Sequence, residues 1–164
     1  MDETRIIARI RSGGQSGVDR AALDAARAAS VPICGWCPAD GWAEDLTEAP
    51  GLLASYPEMR ETPSDDPAER TKWNVRDAEA TLIICVGGKA VSPGTLATIE
   101  FAKALGKPCM ATDGTHPERV LEWLRGVGAE RALTLNVAGP RESQSPGIYD
   151  TAFRFVTELL ALDV

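Results

Sequence analysis

Two stretches of this sequence combine glycine, hydroxyl and amide groups in the pattern of an anion-binding turn. The first is Ser12-Gly13-Gly14-Gln15-Ser16-Gly17-Val18-Asp19-Arg20, and the second is Gly87-Gly88-Lys89-Ala90-Val91-Ser92-Pro93-Gly94-Thr95. Glycine admits a positive φ and lets an anion come close to the backbone amides. A helix that starts directly after such a turn adds unpaired N–H groups and the positive end of its dipole. That combination suits a phosphate. Two such turns in one small sheet suggest a phosphorylated ligand gripped from two sides. The first stretch is neither the dinucleotide G-x-G-x-x-G fingerprint nor a P-loop, whose closing Lys and Thr it lacks. Each turn also has a plain structural reading, since Ser92 is a good N-cap and Asp19 suits a helix dipole.

Other polar residues fall where a ligand edge could be held. Arg70, Thr71 and Asn74 are at helical spacing, with Arg70 and Asn74 on one face. Asn136 and Arg141 lie on and after the last strand-like run. Trp36 and Trp42 each offer a flat surface on which a ring can stack. The Cys34-Gly35-Trp36-Cys37 pair has no second pair to complete a zinc site. A redox C-x-x-C would open a helix, whereas Pro38 and a loop follow here. His116 is the only histidine, which disfavours a His-based general base.

The elements that must position these residues alternate. Strand patterns occupy Ile6–Ile10, Val31–Trp36, Thr81–Val86, Pro108–Ala111 and Arg131–Val137. Helical patterns occupy Gly17–Ala29, Asp66–Ala78, Ser92–Leu105, Pro117–Arg125 and Gly147–Leu162. The run Thr81-Leu82-Ile83-Ile84-Cys85-Val86 is apolar on both faces, as in the centre of a parallel sheet. This order predicts a single α/β domain spanning residues 1–164. It is a Rossmann-like three-layer fold, with a mostly parallel sheet flanked by helices. Ligands of such sheets bind beyond the carboxyl ends of the strands. A long Pro- and Gly-rich connection at about residues 37–67 is expected to be functional or mobile.

Composition narrows the partners. The chain has 164 residues, 44% hydrophobic and 25% charged, with a formal net charge of −7. That acidity argues against nucleic-acid binding, which relies on a basic face. It leaves room for a small anion, because local N–H groups can outweigh net charge. No stretch is apolar enough for a membrane span, and Met1-Asp2-Glu3-Thr4 lacks the features of a signal peptide. The expectation is a cytoplasmic protein whose four cysteines are thiols.

At this point the motifs resemble a known family. Ser12 through Asp24, Gly35-Trp36-Cys37-Pro38, Glu44-Asp45, Tyr56-Pro57, Glu61-Thr62, Arg70-Thr71 with Asn74-Val75 and Asp77, Ser92-Pro93-Gly94-Thr95, and Leu135 through Arg141 are similar to motifs of the molybdenum carrier family. The resemblance covers nearly the whole chain. It implies a Rossmann-like fold related to the lysine-decarboxylase-like, or LOG, superfamily, which includes nucleotide-binding proteins and phosphoribohydrolases. For this chain it implies binding of molybdenum cofactor (molybdopterin), a pterin carrying a phosphate, with no metal site in the protein itself. It also implies a homo-oligomer, dimer or tetramer. The superfamily's enzymes carry a pattern like P-G-G-x-G-T-x-x-E. Here Thr95 matches the threonine, but Thr98 stands in place of the catalytic glutamate. Glu100 lies two positions later, about 200° around the helix. That departure puts hydrolysis in doubt and leaves binding intact.

The reading is therefore a carrier. Gly13, Gly14, Gln15, Ser16, Gly17, Asp19 and Arg20 form the first turn. Gly87, Gly88, Ser92, Gly94, Thr95 and Thr98 form the second. Trp36, Arg70, Thr71, Asn74, Asn136 and Arg141 surround them. The alternative is a nucleotide-binding phosphoribohydrolase using Asp19, Asp45 or Glu100 for acid/base work, or a nucleotide-sensing module. Pterin phosphate and nucleotide stay open, since each presents a planar ring and an anionic phosphate.

Overall fold

The computed structural model describes residues 5–128 and 131–164. The reading of Met1–Thr4 falls outside them. Five parallel strands form the main sheet: β1 (Ile7–Arg11), β2 (Ile33–Cys34), β5 (Ala80–Ile84), β6 (Cys109–Thr112) and β7 (Leu133–Ala138). Their spatial order is β2-β1-β7-β5-β6. Two short strands, β3 (Trp36–Cys37) and β4 (Arg60–Glu61), pair in parallel as a separate ribbon. The helices are α1 (Val18–Ala28), α2 (Pro67–Arg76), α3 (Pro93–Ala104), α4 (Pro117–Gly128) and α5 (Ile148–Leu162).

The expected α/β architecture is present, and each strand-to-strand crossover in the sheet is bridged by at least one helix. Helices α1, α4 and α5 pack together, and α2 packs on α3. Helix α1 packs on α5, and its Ala21, Ala22, Ala25 and Ala26 are all buried. Short side chains let the two backbones approach closely. Every residue of β5 is buried, which explains its unbroken apolar run. Asp66 caps α2 by accepting from the Ala68 amide at 3.0 Å, and Pro67 takes the first turn.

The strand expected over Val31–Trp36 is split. Gly35 lies against the carbonyl of Ser12, where any Cβ would collide, and its φ of 154° turns the chain out of the sheet. β3 then leaves to pair with β4. The long segment between them is packed rather than open. Leu52, Tyr56 and Met59 are buried in the core, and short 3-10 turns form at Ala39–Gly41 and Gly51–Ala54. The Tyr56 hydroxyl donates to Asp24 on α1, and the Tyr149 hydroxyl on α5 donates to the same carboxylate, each at 2.5 Å.

The central position of the last strand has a simple topological meaning. With β7 and α5 placed ahead of β1, the order becomes 3-2-1-4-5, the doubly wound arrangement. The Asp163 carboxylate just after α5 accepts from the amides of Ile6 and Ile7, at 2.7 and 2.8 Å. The end of α5 therefore abuts the start of β1, so such a rearrangement needs little new chain. The switch point of this order lies between β7 and β5.

Candidate functional site

A cleft of about 450 Å³ opens at the carboxyl ends of β1, β7 and β5. Gly13, Gln15 and Asp19 line it from the first turn and α1. Arg70, Thr71 and Asn74 line it from α2, and Ser92, Gly94, Thr95 and Thr98 from α3. Asn136 lines it from β7 and Arg141 from the turn beyond. Residues scattered over 129 positions thus meet at the switch point, because every strand of the sheet points its carboxyl end the same way.

Arg70 is the dominant charge. It is 7% exposed, and burial lowers its pKa against the pull of Asp19. Its Nη1 donates to the Gly13 carbonyl at 2.8 Å and lies 3.8 Å from Asp19 Oδ2. Its Nε is buried with no hydrogen-bond partner among the described residues. Gly13 is required here, since a Cβ would strike Arg70 Nη1 and stand 2.8 Å from Asp19 Oδ2. Asp19 is 8% exposed, and burial pushes its carboxyl up to about 6. Arg70, a backbone hydrogen bond from Gln15, Arg20 and Arg141 oppose that rise without cancelling it.

The two glycine turns differ. At the start of α3, Ser92 makes no side-chain cap; its hydroxyl pairs with that of Thr95 at 2.7 Å. Pro93 has no N–H, so the amides of Gly94 and Thr95, both residues of the cleft lining, are the free donors of this helix start. At the start of α1 the protein supplies its own partners. The Ser16 hydroxyl donates to Glu44, the Ser16 amide donates to the Gln15 side chain at 3.0 Å, and the Val18 amide donates to the Pro140 carbonyl at 3.3 Å. Burial would raise the pKa of Glu44. Hydrogen bonds from Ser143 and Ser16, with the charge of Arg141, lower it on balance. An anion thus already sits at the first turn: the carboxylate of Glu44.

Seven of the expected residues lie outside the cleft lining. Gly14 packs against Leu52, and Gly17 against the Pro140 carbonyl. Ser16 is held by Glu44. Arg20 donates to the Gly14 carbonyl and forms a two-pronged pair with Asp45, both prongs at 3.0 Å. The Trp36 indole donates to Asp77 at 2.8 Å and meets Trp73 edge-on. Gly87, exposed, and Gly88, half-buried, form a turn after β5. Within the cleft, Asn74 is spent on structure, since its amide accepts from the Trp36 N–H and donates to the Trp36 carbonyl. Thr71 and Thr98 each donate back into their own helix. Asp66 and Gln144 line the cleft as well. Asp66 was legible in sequence only as a cap, and Gln144 gave no signal.

All four cysteines are unpaired. Burial pushes the Cys37 thiol up to about 11 and raises the other three, so none is a ready thiolate. Among the described residues no cluster of His, Cys, Asp or Glu could hold a metal ion, and no helix is long and apolar enough to cross a membrane.

The doubly wound sheet, with its cleft at the switch point, defines a Rossmann-like α/β domain. The chain belongs to the circularly permuted YpsA SLOG family, whose model matches residues 10–160. The displaced position of β7 in the chain is what that description leads one to expect. A solved structure from Syntrophus aciditrophicus SB, named "Putative molybdenum carrier protein", is 34% identical, with a TM-score of 0.79 over 98% of each chain. No curated protein matches.

Proposed function

We propose that this protein binds a small phosphorylated ligand in the switch-point cleft, with a phosphorylated pterin of the molybdenum-cofactor type as cargo. The observation that carries this reading is Arg70, a buried guanidinium that lines the cleft beside Gly94 and Thr95 and whose Nε has no hydrogen-bond partner among the described residues. A buried cation short of acceptors, beside a helix start short of acceptors, is matched by an oxyanion. The single anion site is then at α3 and Arg70, since Glu44 occupies the corresponding place at α1. Gln15, Asn136 and Gln144 supply polar groups for the ring edge. The named molybdenum carrier neighbour supports a molybdenum-related cargo. The exposed Val86 and Val91 support a homo-oligomer.

Native mass spectrometry of gently purified protein tests the reading, with released small molecules identified. A molybdopterin, or its oxidation products, near one per chain is expected. A nucleoside monophosphate in its place would move the cargo from pterin to nucleotide, and the same spectra count the subunits. A second reading, phosphoribohydrolase activity, is favoured by one observation. Of the three candidate carboxylates only Asp19 lines the cleft; Asp45 is paired to Arg20, and Glu100 is exposed on α3. Release of free base from nucleoside monophosphates, lost in Asp19→Asn, is the result that would establish it.

A further inference from the structure

The cleft holds one buried cation and one buried carboxylate, and the two are poorly joined. At 3.8 Å, Arg70 Nη1 and Asp19 Oδ2 form an ion pair without a hydrogen bond. Nη1 already serves the Gly13 carbonyl, and Nε serves nothing. Asp19 can therefore lose its charge without breaking a bond to Arg70. A ligand oxyanion arriving at Arg70 would add a second anion beside Asp19 in a largely desolvated wall, where Arg70 is the buried cation and Arg141 the half-exposed one. The cost of the second anion falls away if the carboxylate is protonated.

We propose that Asp19 is the proton-accepting specificity residue of this cleft: an oxyanion reaches Arg70 as Asp19 takes up a proton. The inference rests on the anion site proposed above and deepens it. One proton passes from solvent, or from a singly protonated phosphate monoester, to the Asp19 carboxylate, which becomes a neutral carboxylic acid. Arg70 keeps its charge and turns its free donors to the ligand. The cleft then holds an oxyanion most tightly when one proton is taken up with it.

The surroundings of Asp19 leave it as the titrating group. Arg20 faces it from α1, Arg70 from α2 and Arg141 from the turn after β7. Glu44, from the long segment, lies 3.9 Å from Arg141 and is held ionised by its hydrogen bonds. Asp66 caps α2. Cys37, near Arg70, stays a neutral thiol. The first turn of α3 carries no charge. An ordinary carboxylate does not titrate near neutrality, but Asp19 does, having been pushed up to about 6.

The test is calorimetry with sulfate, whose own charge is constant from mildly acidic to mildly basic pH. It is run on the intact protein in two buffers of different ionisation enthalpy, so that protons taken up are counted directly. The expected result is net proton uptake on binding near pH 7, with affinity roughly fiftyfold weaker at pH 8 than at pH 6. Asp19→Asn is expected to bind sulfate with no proton uptake and one affinity across the range. Binding by the wild type with no proton uptake, or the same pH slope in Asp19→Asn, would overturn the proposal and leave the anion site standing. No sulfate binding at any pH, or equal binding by Arg70→Gln, would overturn the anion site and the proposal together. Proton counting on the wild type decides the matter even if the variant folds poorly.

Discussion

Arg70 on α2 and Asp19 on α1 face each other across Gly13 at 3.8 Å, both more than nine-tenths buried. Neither is satisfied by the other. The pair is held by the fold from two sides of the sheet edge, and it leaves a cation with donors to spare in the cleft wall. The binding account rests on that imbalance.

Arg70→Gln removes the buried cation while keeping much of the side chain's volume. Charge-assisted hydrogen bonds contribute roughly 1.5–3 kcal/mol each. A loss of at least about tenfold in affinity for a phosphate-bearing ligand is expected, equivalent to about 1.4 kcal/mol. Arg70→Lys is expected to recover only part, because an ammonium cannot serve Gly13 and a ligand with the same fork. Titration calorimetry on the three proteins checks both statements.

Gly13→Ala inserts a Cβ where Arg70 and Asp19 meet. The side chains must part, and the guanidinium must leave the Gly13 carbonyl. Ligand affinity is expected to fall at least as far as in Arg70→Gln. A variant that folds with unchanged affinity would show that the contact at Gly13 does not set the position of Arg70.

Stability should carry the mark of Asp19 in the unliganded protein. Its pKa is raised from 3.8 to about 6 in the fold, so the folded state binds the extra proton between those values. Stability from this group is therefore present at low pH and is lost as pH rises through about 6. Between pH 5 and pH 8 the loss is about 1 kcal/mol, because the preference of the folded state for that proton disappears over this range. Urea unfolding of wild type against Asp19→Asn isolates it: the variant gains relative stability as pH rises.

Glu44 distinguishes one anion site from two. Its carboxylate ties Ser16 and the Ser143 hydroxyl, the latter at 2.6 Å, across the first turn. Glu44→Gln is expected to raise hydrogen exchange in residues 37–67 and to leave phosphate-ligand affinity within about twofold. A tenfold change in affinity would place a ligand phosphate at the first turn after all.

Much of this was legible in sequence because it is periodic or local. The β5 run, the alternation at Leu133, Leu135 and Val137, and the alanine face of α1 report burial directly. The Ser92-Pro93 start of α3 is a local signal too. Long-range relations were not legible. Nothing near Gly35 tells that Ser12 sits against it, and nothing near Val137 tells that β7 lies between β1 and β5. The two glycine turns looked equivalent because Glu44, 28 residues beyond Ser16, is what separates them. Asn74 lines the cleft, but its amide holds Trp36 rather than a free edge.

The most direct test of the central claim is a crystal of this protein soaked in selenate, with the anion located by anomalous scattering. The account predicts a peak within hydrogen-bond reach of the Gly94 and Thr95 amides and the Arg70 guanidinium. A peak at the Gly13–Gly17 turn with Glu44 displaced, or an empty cleft at saturating selenate, would contradict it.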